Sequence, residues 1–425
     1  MSKKQQVYDV VIVGAGMVGS ALACGLAQQS LRVALVDKTL PTPIEPNEPP
    51  RIRVSALHLA SEQLLRNLGA WHHIAAQRTF AYQYLAVKEM PDKKSGFLPP
   101  LPDISNWATT RFEASQLDRP YLGHIVENDV IQLGLIERVC ELENIYLKTG
   151  DEVVSTYIDN DMRIVELASG EQFQAQLVIG ADGAQSQVRR LANIGQSSDA
   201  YEQHAMVVSV SYTGATQSGT WQAFRPQGPL AFLPLSSTAD KKYASLVWYD
   251  SADVIKELKA LNTQDLRRKI QASFPAELPP LNEILQVASF PLVKSHAHTY
   301  SAERVVLVGD AAHTINPLAG QGVNLGFMDA AALIEKLGKA HIEGQGLFQD
   351  DVVKAYEKAR RLSNQVMMSA MDGFYYGFSS DSTPLRVLRN IGLGLAQRSG
   401  PIKQKVLEYA TGLQGDIPKL AQVQN

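Results

Sequence analysis

Hydrophobic positions along the chain fall into three patterns. Short runs rich in Val, Ile and Leu at residues 7–13, 31–36, 177–179 and 305–308 predict strands buried on both faces of a parallel sheet. Longer Ala- and Leu-rich stretches at 20–29, 130–142 and 325–337 are compatible with helices. Residues 205–212, 230–235 and 243–249 lie between Pro and Gly turns and predict a further group of strands. Between Asp9 and Arg32 the chain carries no charge, a length that suits a membrane span or a signal sequence. Asp9, the polar end at Gln28, Gln29 and Ser30, and the crowded Gly14, Gly16 and Gly19 argue against both.

Those glycines belong to a unit of strand, turn, helix, strand and acid. Gly14-Ala15-Gly16-Met17-Val18-Gly19 follows the first apolar run at once, and the second run ends on Asp37. This is the dinucleotide-binding pattern. Gly14 permits the tight turn, Gly16 lets backbone N–H groups approach a pyrophosphate, and Gly19 lets the helix pack close to the strand. The helix N-terminus then faces two phosphates, and Asp37 is placed to accept hydrogen bonds from an adenosine ribose. Gly392-Leu393-Gly394 is the nearest imitation, but Gln397 stands where a third glycine would be. One tightly held dinucleotide is therefore expected, either a nicotinamide or a flavin.

Composition excludes more than it assigns. The 425 residues suggest two or three domains. With 45% hydrophobic and 20% charged residues, the chain is not disordered, collagen-like or disulfide-stapled. A formal net charge of -3 offers no electrostatic footprint for nucleic acid. Cys24 and Cys140 both lie in apolar helix-like runs and are expected as buried free thiols.

Two distant segments decide for flavin. Leu177-Val178-Ile179-Gly180-Ala181-Asp182-Gly183 runs from a strand into a turn, with Ser186, Val188 and Arg189 beyond it. Val305-Val306-Leu307-Val308-Gly309-Asp310-Ala311-Ala312-His313 is another strand ending in Gly-Asp, and Pro317, Gly320-Gln321-Gly322 and Asn324 follow. Asp310 at a strand end can accept hydrogen bonds from ribityl hydroxyls, and Gly320 and Gly322 allow backbone to approach a flat ring. The next helix aims its N-terminus at the end of that ring where reduced flavin is anionic, a stabilisation of ~0.3–1 kcal/mol. With these three fingerprints in order, the chain resembles the flavoprotein aromatic hydroxylases, FAD monooxygenases related to hydroxybenzoate hydroxylase. The resemblance implies FAD as cofactor, with O2 and a transient NAD(P)H donor. It also brings Arg53 and Asn128 to the cofactor, and places Pro317 and the Gly320-Gln321-Gly322 backbone nearest the reacting ring. Arg53 could instead pair with a surface carboxylate, Asn128 could serve as a helix N-cap, and Asp182 could shape its turn. No side-chain base is assigned.

The scattered fingerprints imply an α/β fold class in which a Rossmann-like FAD-binding domain (residues 1–78, 111–192 and 290–360) is interleaved with a smaller strand-rich α+β substrate domain (79–110 and 193–289). A helical C-terminal tail (361–425) completes it. Trp221, Phe224, Phe232, Trp248 and Tyr249 cluster in the insert, mostly as core, and the cleft between the two domains is the expected substrate site. Segments 220–224, 228–235 and 244–251, and the tail from Met371, are similar to those of the ubiquinone-biosynthesis hydroxylases. That closer resemblance implies hydroxylation of a polyprenyl benzoquinol ring and other proteins of that pathway as partners. Hydroxylation at another ring position, a flavin reductase or dehydrogenase without oxygen transfer, and a non-enzymatic flavoprotein subunit remain as alternatives. A flavin-dependent halogenase is disfavoured, because the tryptophans at 71, 107, 221 and 248 form no Trp-x-Trp pair.

Residues 384–413 carry Arg386, Arg389, Arg398, Lys403 and Lys405 against Glu408, with Ile402, Val406, Tyr409 and Leu413 at helical spacing. The favoured reading is a packing helix with a solvated face; the sharper one is peripheral contact with anionic lipid. The expected location is cytoplasmic, with that contact at the inner membrane face. His296 and His298 share a strand face but lack an accompanying Cys or carboxylate, so no metal site is expected. His313 is expected to be structural.

Overall fold

The computed structural model describes residues 6–45, 47–90, 109–238, 240–315, 320, 322–379 and 397–424. Its first strand, β1 (Gln6–Val13), runs into helix α1 (Met17–Gln28) and returns as β2 (Val33–Asp37). Next come β3 (Val54–His58), α2 (Leu59–Asn67), α3 (Trp71–Gln77), β4 (Phe80–Tyr82), β5 (Tyr84–Glu89), β6 (Thr109–Glu113) and β7 (Gly123–Glu127). Helix α4 (Asn128–Cys140) leads through β8 (Ile145–Thr149) to β9 (Val153–Asp159), β10 (Met162–Leu167), β11 (Gln172–Gly180) and the short α5 (Gln187–Leu191). Strands β12 (Gln196–Tyr212), β13 (Gly219–Phe224), β14 (Leu230–Leu235) and β15 (Lys242–Ser251) precede α6 (Ala252–Ala260), α7 (Thr263–Ser273) and β16 (Leu281–Ala297). The chain ends with β17 (Ser301–Ala302), β18 (Val305–Leu307), β19 (His313–Thr314) and the helices α8 (Gly322–Ile342), α9 (Asp350–Ser379) and α10 (Pro401–Ala410).

The first sheet has the order β17-β18-β11-β1-β2-β8, extended from β11 by β10 and β9. Its central strands β8, β2, β1, β11 and β18 are parallel. Val10, Val11 and Ile12 are fully buried, because helices cover such a sheet on both faces. Register decides where the chemistry falls. Val13 aligns with Val36 and Gly180, and Gly180 with Leu307, so all three glycine-bearing turns leave the same carboxyl edge, the side on which open α/β sheets bind ligands.

The second sheet has the order β19-β16-β12-β15-β14-β13-β5-β6. Ile255, Leu258, Leu266 and Ile270 of α6 and α7 cover one face, against Met206, Val208, Phe232 and Leu246. Burying each such Leu or Ile stabilises the fold by ~1.5–3 kcal/mol. A small third sheet, β3-β7-β4, stands between the other two in the chain's contacts: Val54, Ala56 and Ile125 share a hydrophobic cluster with Leu233, Leu235 and Tyr243.

Several expectations need correction. Cys24 is buried, but Cys140 is exposed as the last residue of α4, where the helix surface turns to solvent. His298 lies beyond the end of β16. His296 contacts the Tyr300 hydroxyl at 2.8 Å while His298 contacts Ser197 at 3.2 Å, so the two rings serve different neighbours. Helix α10 packs through Lys403, Leu407 and Thr411 and leaves Ile402, Val406 and Tyr409 67%, 51% and 43% exposed. Lys403 tolerates burial because its ammonium reaches Gln397 Oε1 at 2.9 Å and lies over the Phe112 ring, 5.5 Å from its centre. Among the described residues no helix is long and apolar enough to cross a membrane.

Candidate active site

The first turn is built by close approach. Gly14 has φ +106°, and a Cβ there would lie 2.4 Å from the Ala181 carbonyl oxygen. A Cβ on Gly19 would lie 1.9 Å from the Gly14 carbonyl oxygen, so the helix can touch the turn only through glycine. Gly16 differs: nothing lies within 4 Å of its missing Cβ. It caps α1 without a side-chain hydrogen bond, and no acid occupies the first turn, so no side chain of that turn competes for the N–H groups a phosphate would take. Asp37 closes the turn from the second strand by accepting Ala15 N at 2.6 Å and Thr39 N at 2.9 Å. Two acceptor directions on its carboxylate remain for a diol. Gln132 of α4 also reaches this turn, donating to the Ala15 carbonyl at 2.8 Å.

The second fingerprint abuts the first through Ala181. Asp182 shapes its own turn: it accepts Ser186 Oγ at 2.5 Å, Gln187 N at 2.7 Å and Val188 N at 3.0 Å. Buried Arg189 then donates to the Ala184 and Ala311 carbonyls at 3.0 and 2.8 Å, tying this turn to the third fingerprint.

At the third, Gly309 adopts φ +57° and its N–H donates to Asp329 Oδ2 at 3.1 Å. The Asp310 carboxylate is solvent-accessible, yet enclosure by protein raises its pKa, against the opposing charges of His313 and Arg53. Arg53 itself is exposed, and its carbonyl accepts Asn128 N at 2.9 Å. Ser55 Oγ donates to Asn128 Oδ1 at 2.7 Å, and the N-cap of α4 is Glu127 rather than Asn128. Arg53 thus joins Asn128 through its backbone and Asp310 through its charge. Gly320, at φ +65°, would place a Cβ 3.4 Å from Ala56. Gly322 begins α8 with open space at its Cα. Asn324 is fully buried and stitches α8 to β3, donating to the Ala56 carbonyl at 2.8 Å and accepting Ser61 Oγ at 2.8 Å and His58 N at 3.2 Å. Pro317 and Gln321 lie outside the described residues.

Asp329 was not singled out by sequence, although a lone carboxylate in the apolar run of α8 is a signal for a buried, partnered charge. It is wholly buried and also accepts His313 Nε2 at 2.5 Å, Arg360 Nε at 2.9 Å and Asn364 Nδ2 at 3.1 Å. Burial alone would raise its pKa; His313, Arg360 and the hydrogen bonds hold it below the usual carboxylate range. The structural reading of His313 follows from this contact.

The face of the second sheet turned away from α6 and α7 meets β3 at Leu233 and the α9 residues Met371 and Tyr375 at Val247. Val207 opposes Val247, Val247 opposes Ala231, and Ser245 opposes both Ser209 and Leu233. Directly opposed residues share a face, and Leu233 fixes which one by packing with Val54 and Ala56. Val207, Leu233 and Val247 remain only half-buried. None of these six side chains carries a charge, and the Ser245 hydroxyl is buried without a partner.

A glycine-built dinucleotide turn at the carboxyl edge of a parallel sheet marks a nucleotide-cofactor enzyme, and the relatives of this chain make it a flavin-dependent monooxygenase. A family model described as an FAD binding domain matches residues 7–370, and the chain belongs to that family. It is 40% identical to the 3-demethoxyubiquinol 3-hydroxylase of Escherichia coli over 96% of this chain and 99% of that one. It is 31% identical to the human ubiquinone biosynthesis monooxygenase COQ6, covering 95% of this chain and 92% of the relative. The ubiquinone hydroxylase UbiL of Rhodospirillum rubrum is 30% identical, with 96% and 90% covered. Among solved structures, p-nitrophenol 4-monooxygenase PnpA of Pseudomonas putida superposes with TM-score 0.76 at 19% identity, covering 99% of this chain and 100% of that one. That likeness shows the fold.

Proposed function

We propose that this chain hydroxylates the ring of a polyprenyl benzoquinol intermediate in ubiquinone biosynthesis, using O2 and NAD(P)H. The reaction is the one named for its Escherichia coli relative, 3-demethoxyubiquinol 3-hydroxylase. The supporting observation is the uncharged sheet face of Val207, Ala231, Leu233 and Val247, whose Leu233 packs with Ala56, the residue beside Gly320. A carboxylate-bearing substrate would need a cation there, since an unpaired buried charge is costly. A neutral quinol with an isoprenoid tail needs none.

The residues fit FAD. In this reading the α1 N-terminus and Gly16 hold the pyrophosphate, Asp37 the ribose, and Asp310 the ribityl chain. Arg53, Asn128, Gly309, Gly320, Gly322 and Asn324 shape the remaining enclosure, and Asp182 acts through its turn. FAD supplies the redox chemistry with O2; the chain orients the ring and keeps water from it. The FAD domain comprises residues 1–78, 111–192 and 290–360, the substrate domain 79–110 and 193–289, and the tail 361–425. Within 384–413 the exposed Ile402, Val406 and Tyr409, with Lys405 beside them, offer a surface to anionic lipid that would present the substrate; residues 384–396 lie outside the described residues.

Turnover under 18O2 tests the reading. One labelled oxygen is expected on the quinol ring, and label at another carbon would move the ring position. NAD(P)H oxidation with unlabelled product would overturn it in favour of a reductase. Equal co-sedimentation of wild type and Ile402→Asp/Val406→Asp with anionic liposomes would remove the lipid contact.

A further inference from the structure

Helices α3 and α4 touch at Gly134, where a Cβ would lie 2.6 Å from Ile74 Cγ1. That approach sets His73 against a face of α4 carrying Glu137 and Glu141. His73 Nδ1 lies 2.9 Å from Glu137 Oε2, and His73 Nε2 lies 2.9 Å from Glu141 Oε1. The two contacts are not equivalent. The Nε2 atom is buried and sits off the line of a hydrogen bond to Glu141, so the two groups can turn their lone pairs to one point beside them. His72 joins them: its ring centroid is 3.8 Å from that of His73. Ligand atoms of His72, His73 and Glu141 all lie within 4.8 Å of one another.

We infer that His72, His73 and Glu141 form a binding site for a divalent ion of the zinc class, clipping α3 to α4. Imidazole nitrogen and carboxylate oxygen are zinc ligands at ~2.0–2.2 Å, which places tetrahedral ligand atoms ~3.3 Å apart. His72 and Glu141 are exposed, so their side chains can close the remaining distance by rotation, with water completing the shell. Glu137 supplies the outer support: a carboxylate on Nδ1 holds the tautomer whose Nε2 lone pair faces the ion. Arg138 Nη1 holds Glu141 Oε2 at 2.8 Å, leaving Oε1 directed at His73. The site is separate from the flavin recess, although α4 also carries Asn128 and Gln132 into that recess.

The experiment uses the full-length, FAD-loaded protein after treatment with a chelator. Titration with Zn2+ alone in a calorimeter, and with Co2+ read by its visible absorption, is expected to show one equivalent bound and a raised unfolding temperature. His72→Ala and Glu141→Gln change exposed side chains and should abolish that equivalent with flavin absorbance intact. Glu137→Gln should weaken binding by about 10–100-fold. His296→Ala, at the other histidine pair, should bind as wild type does. Zn2+ uptake by the His72→Ala/Glu141→Gln double variant equal to wild type, or no uptake by wild type, overturns the site and leaves an ion pair.

Discussion

Asp329 and His313 meet at 2.5 Å with no solvent at either side chain. The same carboxylate receives the Gly309 N–H, the Arg360 guanidinium and the Asn364 amide. One buried acid therefore fixes the backbone immediately before Asp310 and anchors α9 to α8. Its partners come from two separate stretches of chain, 309–313 and 360–364, so the backbone around Asp310 inherits its shape from this hub.

Replacing Asp329 by Asn should loosen both. Arg360 is 3% exposed at its side chain and would be left as an uncompensated buried cation, at a cost of ~3–5 kcal/mol. The expected outcome is a markedly lower unfolding temperature together with loss of FAD on gel filtration, read by flavin absorbance. Wild-type unfolding and retained flavin would show that the hub is dispensable.

The carboxyl edge of the parallel sheet was readable from residues alone, because glycine positions report backbone geometry directly. Gly14 and Gly19 sit where no Cβ fits, and Asp37 sits where the second strand must end. Side-chain partners across distant segments were not readable. Asn324 looked like a cofactor ligand, yet bonds to Ala56, His58 and Ser61; nothing local in sequence specifies which strand α8 will meet. The tail shows the same limit: spacing found its apolar stripe, but burial of Lys403 and Leu407 was decided by Phe112 and the turn after it.

Gly16→Ala separates folding from cofactor binding. The site has φ −67° and open space where the methyl would go, so the apoprotein should keep its stability within about 0.5 kcal/mol. The methyl would nevertheless stand where backbone must approach a pyrophosphate. FAD affinity measured by fluorescence quenching should fall with the apoprotein melt unchanged. Undiminished affinity would place the phosphates elsewhere.

Val247→Asp tests the apolar wall. Val247 is half-buried and opposes Val207 across the strand pair, so a carboxylate desolvated there without a partner costs more than the ~1–3 kcal/mol of a neutral polar group. Quinol turnover should drop about tenfold or more while flavin content stays at wild-type level. Normal turnover would mean the substrate ring lies away from this face.

His58 sets an acid limit on stability. It is the N-cap of α2, and its Nδ1 accepts the Ser61 N–H at 3.0 Å, a role open only to the unprotonated nitrogen. Burial lowers its pKa to about 4, against ~6.5 in the unfolded chain. Between those values the unfolded state binds the extra proton, so the contribution is complete above about pH 6.5 and is lost as pH falls towards 4. The full loss amounts to ~3 kcal/mol. Asn is a favourable cap that does not titrate, so His58→Asn should flatten the unfolding temperature over that pH window while remaining folded at neutral pH. A profile parallel to wild type would assign the acid sensitivity to other groups, with His296, also lowered to about 4 by burial, as the next to replace.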